Sequence, residues 1–166
     1  MSGKKIRLRG KFHVEHYRNK TKIGVYDFYN DIVNEGLDKV LNVMFHDATK
    51  ITPWYLSLID NAGGPVLDPT DTMGGHGGWV EATQYDETDR VTWDEDAASG
   101  QSITNSVPAT FTISATKTIY GLFVTSSNAK SGTTGTLWSA AAFAAPIAVA
   151  DDDELKVTYT VAASNA

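Results

Sequence analysis

The chain has no cysteine. That removes a disulfide framework, a thiol nucleophile and every thiolate metal site. No stretch approaches the roughly 18 apolar residues of a membrane-spanning helix, so no membrane partner is expected. Met1-Ser2-Gly3-Lys4-Lys5 brings charge without an apolar segment behind it, and no secretory signal is expected. Repeats and linker-like composition are also missing, which points to one domain over residues 1–166.

What is present is a core and a charge asymmetry. Hydrophobic residues make up 42% of the chain, enough to bury a real interior. Residues 1–29 carry Lys4, Lys5, Arg7, Arg9, Lys11, Arg18, Lys20 and Lys22 against Glu15 and Asp27, a net +6. The remaining chain holds six basic and 18 acidic side chains, a net −12, which accounts for the overall −6. A basic arm on an acidic body suits nucleic acid, an acidic protein surface or self-association. It equally suits a β-edge made polar to prevent aggregation.

Local periodicity divides the chain. From Lys5 to Tyr17, Ile6, Leu8, Phe12 and Val14 alternate with Arg7, Arg9, Lys11 and His13, as in a strand with one wet face. Gly10 inside it marks a bulge or a close contact. Arg18–Lys22 is a polar turn, and a second strand through Ile23–Phe28 completes a hairpin, so residues 1–29 read as a basic N-terminal β arm or hairpin. Residues 30–162 follow as a helix plus sandwich. The helix spans about 31–46, with Asn30 or Asp31 as N-cap and Val33, Leu37, Val40, Leu41, Met44 and Phe45 on its buried face. Gly36 costs helix stability and marks the close passage of a strand. Trp54–Ile59 is apolar on both faces and reads as a central or interface strand. After the turn-rich 61–79 stretch, a surface crossing that contacts a neighbour, strands are expected at Val80–Gln84, Arg90–Trp93, Gln101–Asn105, Ala109–Thr116, Ile119–Ser126, Gly135–Phe143, Ile147–Ala150 and Leu155–Ala162. Ile119–Val124 should be central.

No constellation reads as catalytic or metal-binding. His13 and His16 are three apart on a strand and face opposite ways, so they cannot chelate together. Asp151-Asp152-Asp153-Glu154 lacks the spacing of a calcium loop and reads as a solvated turn. Asp86–Asp89 and Asp94–Asp96 read the same way. Gly74-Gly75-His76-Gly77-Gly78 has neither the Gly-Lys-Ser/Thr ending nor the following helix of a phosphate loop. No nucleophile elbow of the Gly-x-Ser-x-Gly type occurs. Trp54, Trp79, Trp93 and Trp138 suit a sugar site or an interface, with core packing as the default. No enzyme activity, cofactor or metal is expected.

A longer pattern runs through the chain: W-Y-L-S-L-I-D-N at 54–61, D-T-M-G-G-H-G-G-W-V-E at 71–81, Tyr85, R-V-T-W at 90–93, S-I-T-N at 102–105, A-T-F-T-I-S-A at 109–115, G-L-F-V at 121–124, G-T-T-G-T-L-W-S-A at 132–140 and D-E-L-K-V-T-Y-T-V at 153–161. In order and texture, over about residues 30–162, this resembles the capsid cement, or decoration, proteins of tailed phages. The resemblance implies a mainly β fold, a jelly-roll-like antiparallel β-sandwich, and a homodimer or homotrimer on the outer capsid surface that bridges subunits of the major capsid protein. It implies a virion location after synthesis in the host cytoplasm, with no direct nucleic-acid binding expected. The expected partner contacts are the eight basic arm residues together with His76 and Trp79. The other class considered is a carbohydrate- or receptor-binding module of a phage tail or fibre.

Overall fold

A computed structural model describes residues 5–60 and 63–165. The protein is mainly β, 53% strand, with one short helix and an antiparallel sheet curled into a half-barrel. In chain order its elements are β1 (Ile6–Arg18), β2 (Thr21–Ile32), α1 (Asn34–Phe45), β3 (Trp54–Asp60), β4 (Val80–Ala82), β5 (Val91–Trp93), β6 (Ser102–Thr104), β7 (Ala109–Thr112), β8 (Lys117–Thr125), β9 (Leu137–Val149) and β10 (Glu154–Asn165). Neighbours run β4-β3-β8-β9-β2-β1-β10-β6, with β5 also on β3 and β7 also on β10. The two halves of this path join through only Asp31 and Ile32 of β2, opposite Ala140 and Ser139 of β9.

The strand expectations hold in outline. β3 lies between β4, β5 and β8, and β8 lies between β3 and β9, so both doubly apolar strands are central. The expected strands at 135–143 and 147–150 are one strand, β9. Its register slips where Ile119 faces Ile147 but Gly121 faces Ala142, so Phe143–Pro146 bulge out.

The basic segment is a hairpin, as one of the two expectations had it, but it is not an appendage. Its turn residues Asn19 and Lys20 both have positive φ, the twist that a tight hairpin needs. β1 then sits between β2 and β10, paired with β10 over its whole length beyond the turn. Its inward side chains Phe12 and Val14 are buried in the main core beside Phe111, Val157 and Tyr159. A side chain at Gly10 would strike Asn30 and the Tyr159 hydroxyl, which explains the glycine.

The helix departs further from expectation. Period two continues through Phe28, Asn30 and Ile32, all buried, so β2 claims the residues expected to open the helix. Helix α1 starts at Asn34 behind Val33, with no side-chain cap. Gly36 does mark a close approach: a Cβ there would lie 2.6 Å from the Trp138 carbonyl oxygen. Of the expected buried face, Val33 is buried and Val40 packs against the core, but Leu37, Leu41, Met44 and Phe45 are exposed. The helix is tethered by its first turn and by Val40, and its last turn stands off the sheet.

Residues 61 and 62 lie outside the described residues, and the rest of the expected 61–79 surface crossing is pinned by two buried side chains. Met73 and Trp79 are buried with Val33, Ile59, Phe123, Leu137 and Ala140 in a second, smaller core. Thr72 and Gly75 close its tip through reciprocal backbone hydrogen bonds.

Candidate functional site

Three polar hubs and one apolar cleft hold the chemistry-bearing residues. The first hub lies at the turn end of the hairpin. Asp153 is buried and accepts hydrogen bonds from Arg18 at 2.8 and 2.7 Å and from the Ala150 amide at 2.8 Å, with the His16 ring at 2.7 Å. The Arg18 guanidinium above all, then the Ala150 amide and His16, hold its carboxyl well below the usual carboxylate range. The 151–154 run is therefore not a uniformly solvated turn. Asp151 and Asp152 are exposed, while Asp153 joins β10 to the hairpin.

The second hub is an ion pair hidden between β4 and the loops at 83–90 and 126–135. Arg90 Nε and Nη2 donate to the Glu81 carboxylate at 2.9 and 2.8 Å, and the same guanidinium reaches the Ser127 and Gly132 carbonyls. Ser57 Oγ donates to Glu81 at 2.6 Å and lies 3.1 Å from the Tyr85 hydroxyl. Burial pushes the Tyr85 hydroxyl up, against the lowering effect of its hydrogen bond with Ser57. Ser57 is fully buried, and its hydroxyl serves the Glu81–Tyr85 network. The arrangement ties β3 and β4 to the two loops.

The third hub centres on the buried Tyr159 hydroxyl, which receives hydrogen bonds from Trp138 Nε1 at 2.9 Å and Asn30 Nδ2 at 3.2 Å. Trp93 Nε1 and the Tyr159 amide both donate to Asn105 Oδ1. Together these link β2, β9, β10 and the segment after β6. Trp93 and Trp138 are thus core residues with satisfied ring nitrogens, as the default reading of the tryptophans has it.

The expected contact residues separate into three groups. Lys4 lies outside the described residues. Lys5, Arg7 and Lys20 are exposed, with no ion pair among the described residues. The rest are engaged within the chain: Arg9 lies over the Tyr29 ring at 3.9 Å, Lys11 pairs with Asp27 at 3.1 Å, Arg18 with Asp153 and Lys22 with Glu15. His13 also reaches Asp27, at 2.9 Å, on the wet face opposite buried His16. Trp79 lies within the chain's own second core. It is buried, donates to Asp71 Oδ2 at 2.9 Å and stacks on His76 at 3.8 Å, which leaves His76 half-buried at the surface. No group of three His, Cys, Asp or Glu side chains among the described residues is placed to hold a metal ion.

The apolar cleft was not anticipated. Four contacts hold the start of α1: Val33 N donates to Trp138 O at 3.1 Å, Asn34 N to Pro69 O at 2.8 Å and Leu137 N to Glu35 Oε2 at 2.8 Å, and Gly36 rests on Trp138. Beyond them a cleft of about 280 Å³ opens under the helix, roofed by Val40, Val43 and Met44 and floored by Trp54, Trp138 and Ile103. Lys39, Lys50 and Glu95 also line it. The sequence carries the signal as a helix apolar over an arc wider than one sheet covers.

Compared with protein-family models and with curated proteins, the chain matches none. The fold places it in the class of small, mainly β proteins built on a curled antiparallel sheet.

Proposed function

We propose that the chain is a virion structural protein with a jelly-roll-like sandwich, which docks on the outside of a tailed-phage capsid and cements neighbouring subunits of the major capsid protein. It self-associates as a dimer or trimer, and many identical weak contacts on a symmetric lattice add up by avidity. What carries the reading is the allocation of polar and apolar groups. The three hubs place hydroxyl, carboxylate and guanidinium groups where they lock strands and loops together. Large apolar side chains of α1 are left in water, as on a surface that docks against another protein. Burial of Trp79, Trp93 and Trp138 counts against a carbohydrate-stacking module, since Trp54 alone of the four is partly exposed.

Co-sedimentation with expanded, undecorated phage shells tests the reading. Saturation at a fixed copy number per shell subunit is the expected result. Binding to isolated tails but not to shells, or to neither, overturns it.

A further inference from the structure

Helix α1 is apolar over a wider arc than the sheet covers. With 3.6 residues per turn, Gly36, Val40 and Val43 point to the sheet and cleft, Leu37, Met44 and Leu41 fill the adjoining arc, and Phe45 lies beyond it with Asn34 and Asp38, facing away from the sheet. Leu41, Met44 and Phe45 are 56%, 69% and 81% exposed. A helix apolar over that width belongs where both arcs are covered. The exposed arc leads directly into the mouth of the cleft, since Met44 belongs to both.

The mouth carries charges of both signs. Lys39 and Lys50 stand on the helix side, and the Asp94-Glu95-Asp96 loop on the other, with Glu95 lining the cleft. Among the described residues, no ion pair engages these two lysines or these three acids. An anionic amphiphile entering the cleft would meet the acidic lip, and a cationic one would meet the lysines. A second copy related by a two-fold axis presents the same two lips in reversed order, and its own exposed apolar side chains at the same place.

We propose that a second copy of this chain closes the cleft. Each copy inserts Met44 and Phe45 into the mouth of the other's cleft and sets its Lys39–Lys50 lip against the other's 94–96 loop. The proposal rests on the self-association half of the reading above and not on shell attachment.

Light scattering and sedimentation of the full chain test it. The wild type is expected at the mass of two chains, and Phe45→Glu at the mass of one, its dimer Kd weakened about 100-fold, as for a central apolar anchor. Phe45→Ser serves if the charged variant fails to fold, with an unchanged far-ultraviolet spectrum as the control. Lys50→Glu weakens the pair about 10-fold, and adding Glu95→Lys restores it, because the swapped charges face each other across the axis. A wild type that stays monomeric through the high micromolar range, a trimer, or a dimer indifferent to Phe45→Glu overturns the proposal. Shell co-sedimentation of the same samples reads attachment separately, so a wild-type dimer that ignores shells breaks only the capsid reading.

Discussion

On the outer face of the β1–β2 hairpin, charged side chains meet charged side chains: Lys11 and His13 share Asp27, and Lys22 reaches Glu15. On the outer arc of α1, Leu41, Met44 and Phe45 are left to solvent. The sequence suggests the opposite, a basic arm seeking a partner and an apolar helix face packed inside. The difference teaches that a periodic pattern tells which side chains share a face, whereas what that face meets is settled by the neighbouring strand. β1 and β2 bring each other counter-charges, while among the described residues no element crosses above α1.

Removing residues 1–22 tests the hairpin most severely. It deletes a strand paired on both sides and takes Phe12 and Val14 out of the core, so the truncated chain is expected to lose its cooperative thermal transition by circular dichroism. A cooperative melt in the truncated chain would restore the picture of a separable arm. Next in size is Gly36→Ala. Alanine favours a helix by about 1 kcal/mol, but here its methyl meets a backbone carbonyl that cannot swing aside. A net loss of about 1–3 kcal/mol in urea unfolding is expected, the usual cost of overpacking.

A third measurement separates the inner charges of the hairpin from its outer ones. The Asp153 carboxyl is depressed from its ordinary 3.8, so its contribution to stability is complete above that pH and is lost as the pH falls from there toward the folded value. Urea midpoints of the wild type should fall on acidification below about pH 4, and Asp153→Asn should flatten that limb while starting less stable at neutral pH. The smallest effects are expected on the two outer faces. Lys11→Ala should cost under about 1 kcal/mol. Phe45→Ser, measured at high dilution, should stay within about 0.5 kcal/mol. A larger loss from Phe45→Ser would mean that the arc packs within the chain.

Much of the sheet was legible because it depends on local alternation. The hairpin and the inward residues of β10 follow period two, β3 and β8 stand out as runs apolar on both faces, and Gly10 and Gly36 mark close approaches as their positions suggest. The hubs were not legible, because they join distant residues: Asp153 lies 135 residues from Arg18, and Tyr159 lies 129 from Asn30. Nothing local distinguishes Asp153 from Asp151 and Asp152. Asn30 looked like a helix cap, since asparagine suits both a cap and a buried amide, and only the phase of β2 decides between them. The Glu81–Arg90 pair was nearer in sequence, yet the intervening loop hides that the two side chains turn toward each other.

The pairing of β1 with β10 brings Ile6 opposite Asn165. Force applied at that pair would open the two strands rung by rung, like a zip, with each hydrogen bond loaded alone. Force applied between the hairpin turn at Asn19 and the far end of β10 would slide the same strands past each other and load many rungs at once. The molecule is therefore compliant toward a pull at Ile6 and Asn165 and stiff along its strands, so its resistance to tension depends on where it is gripped.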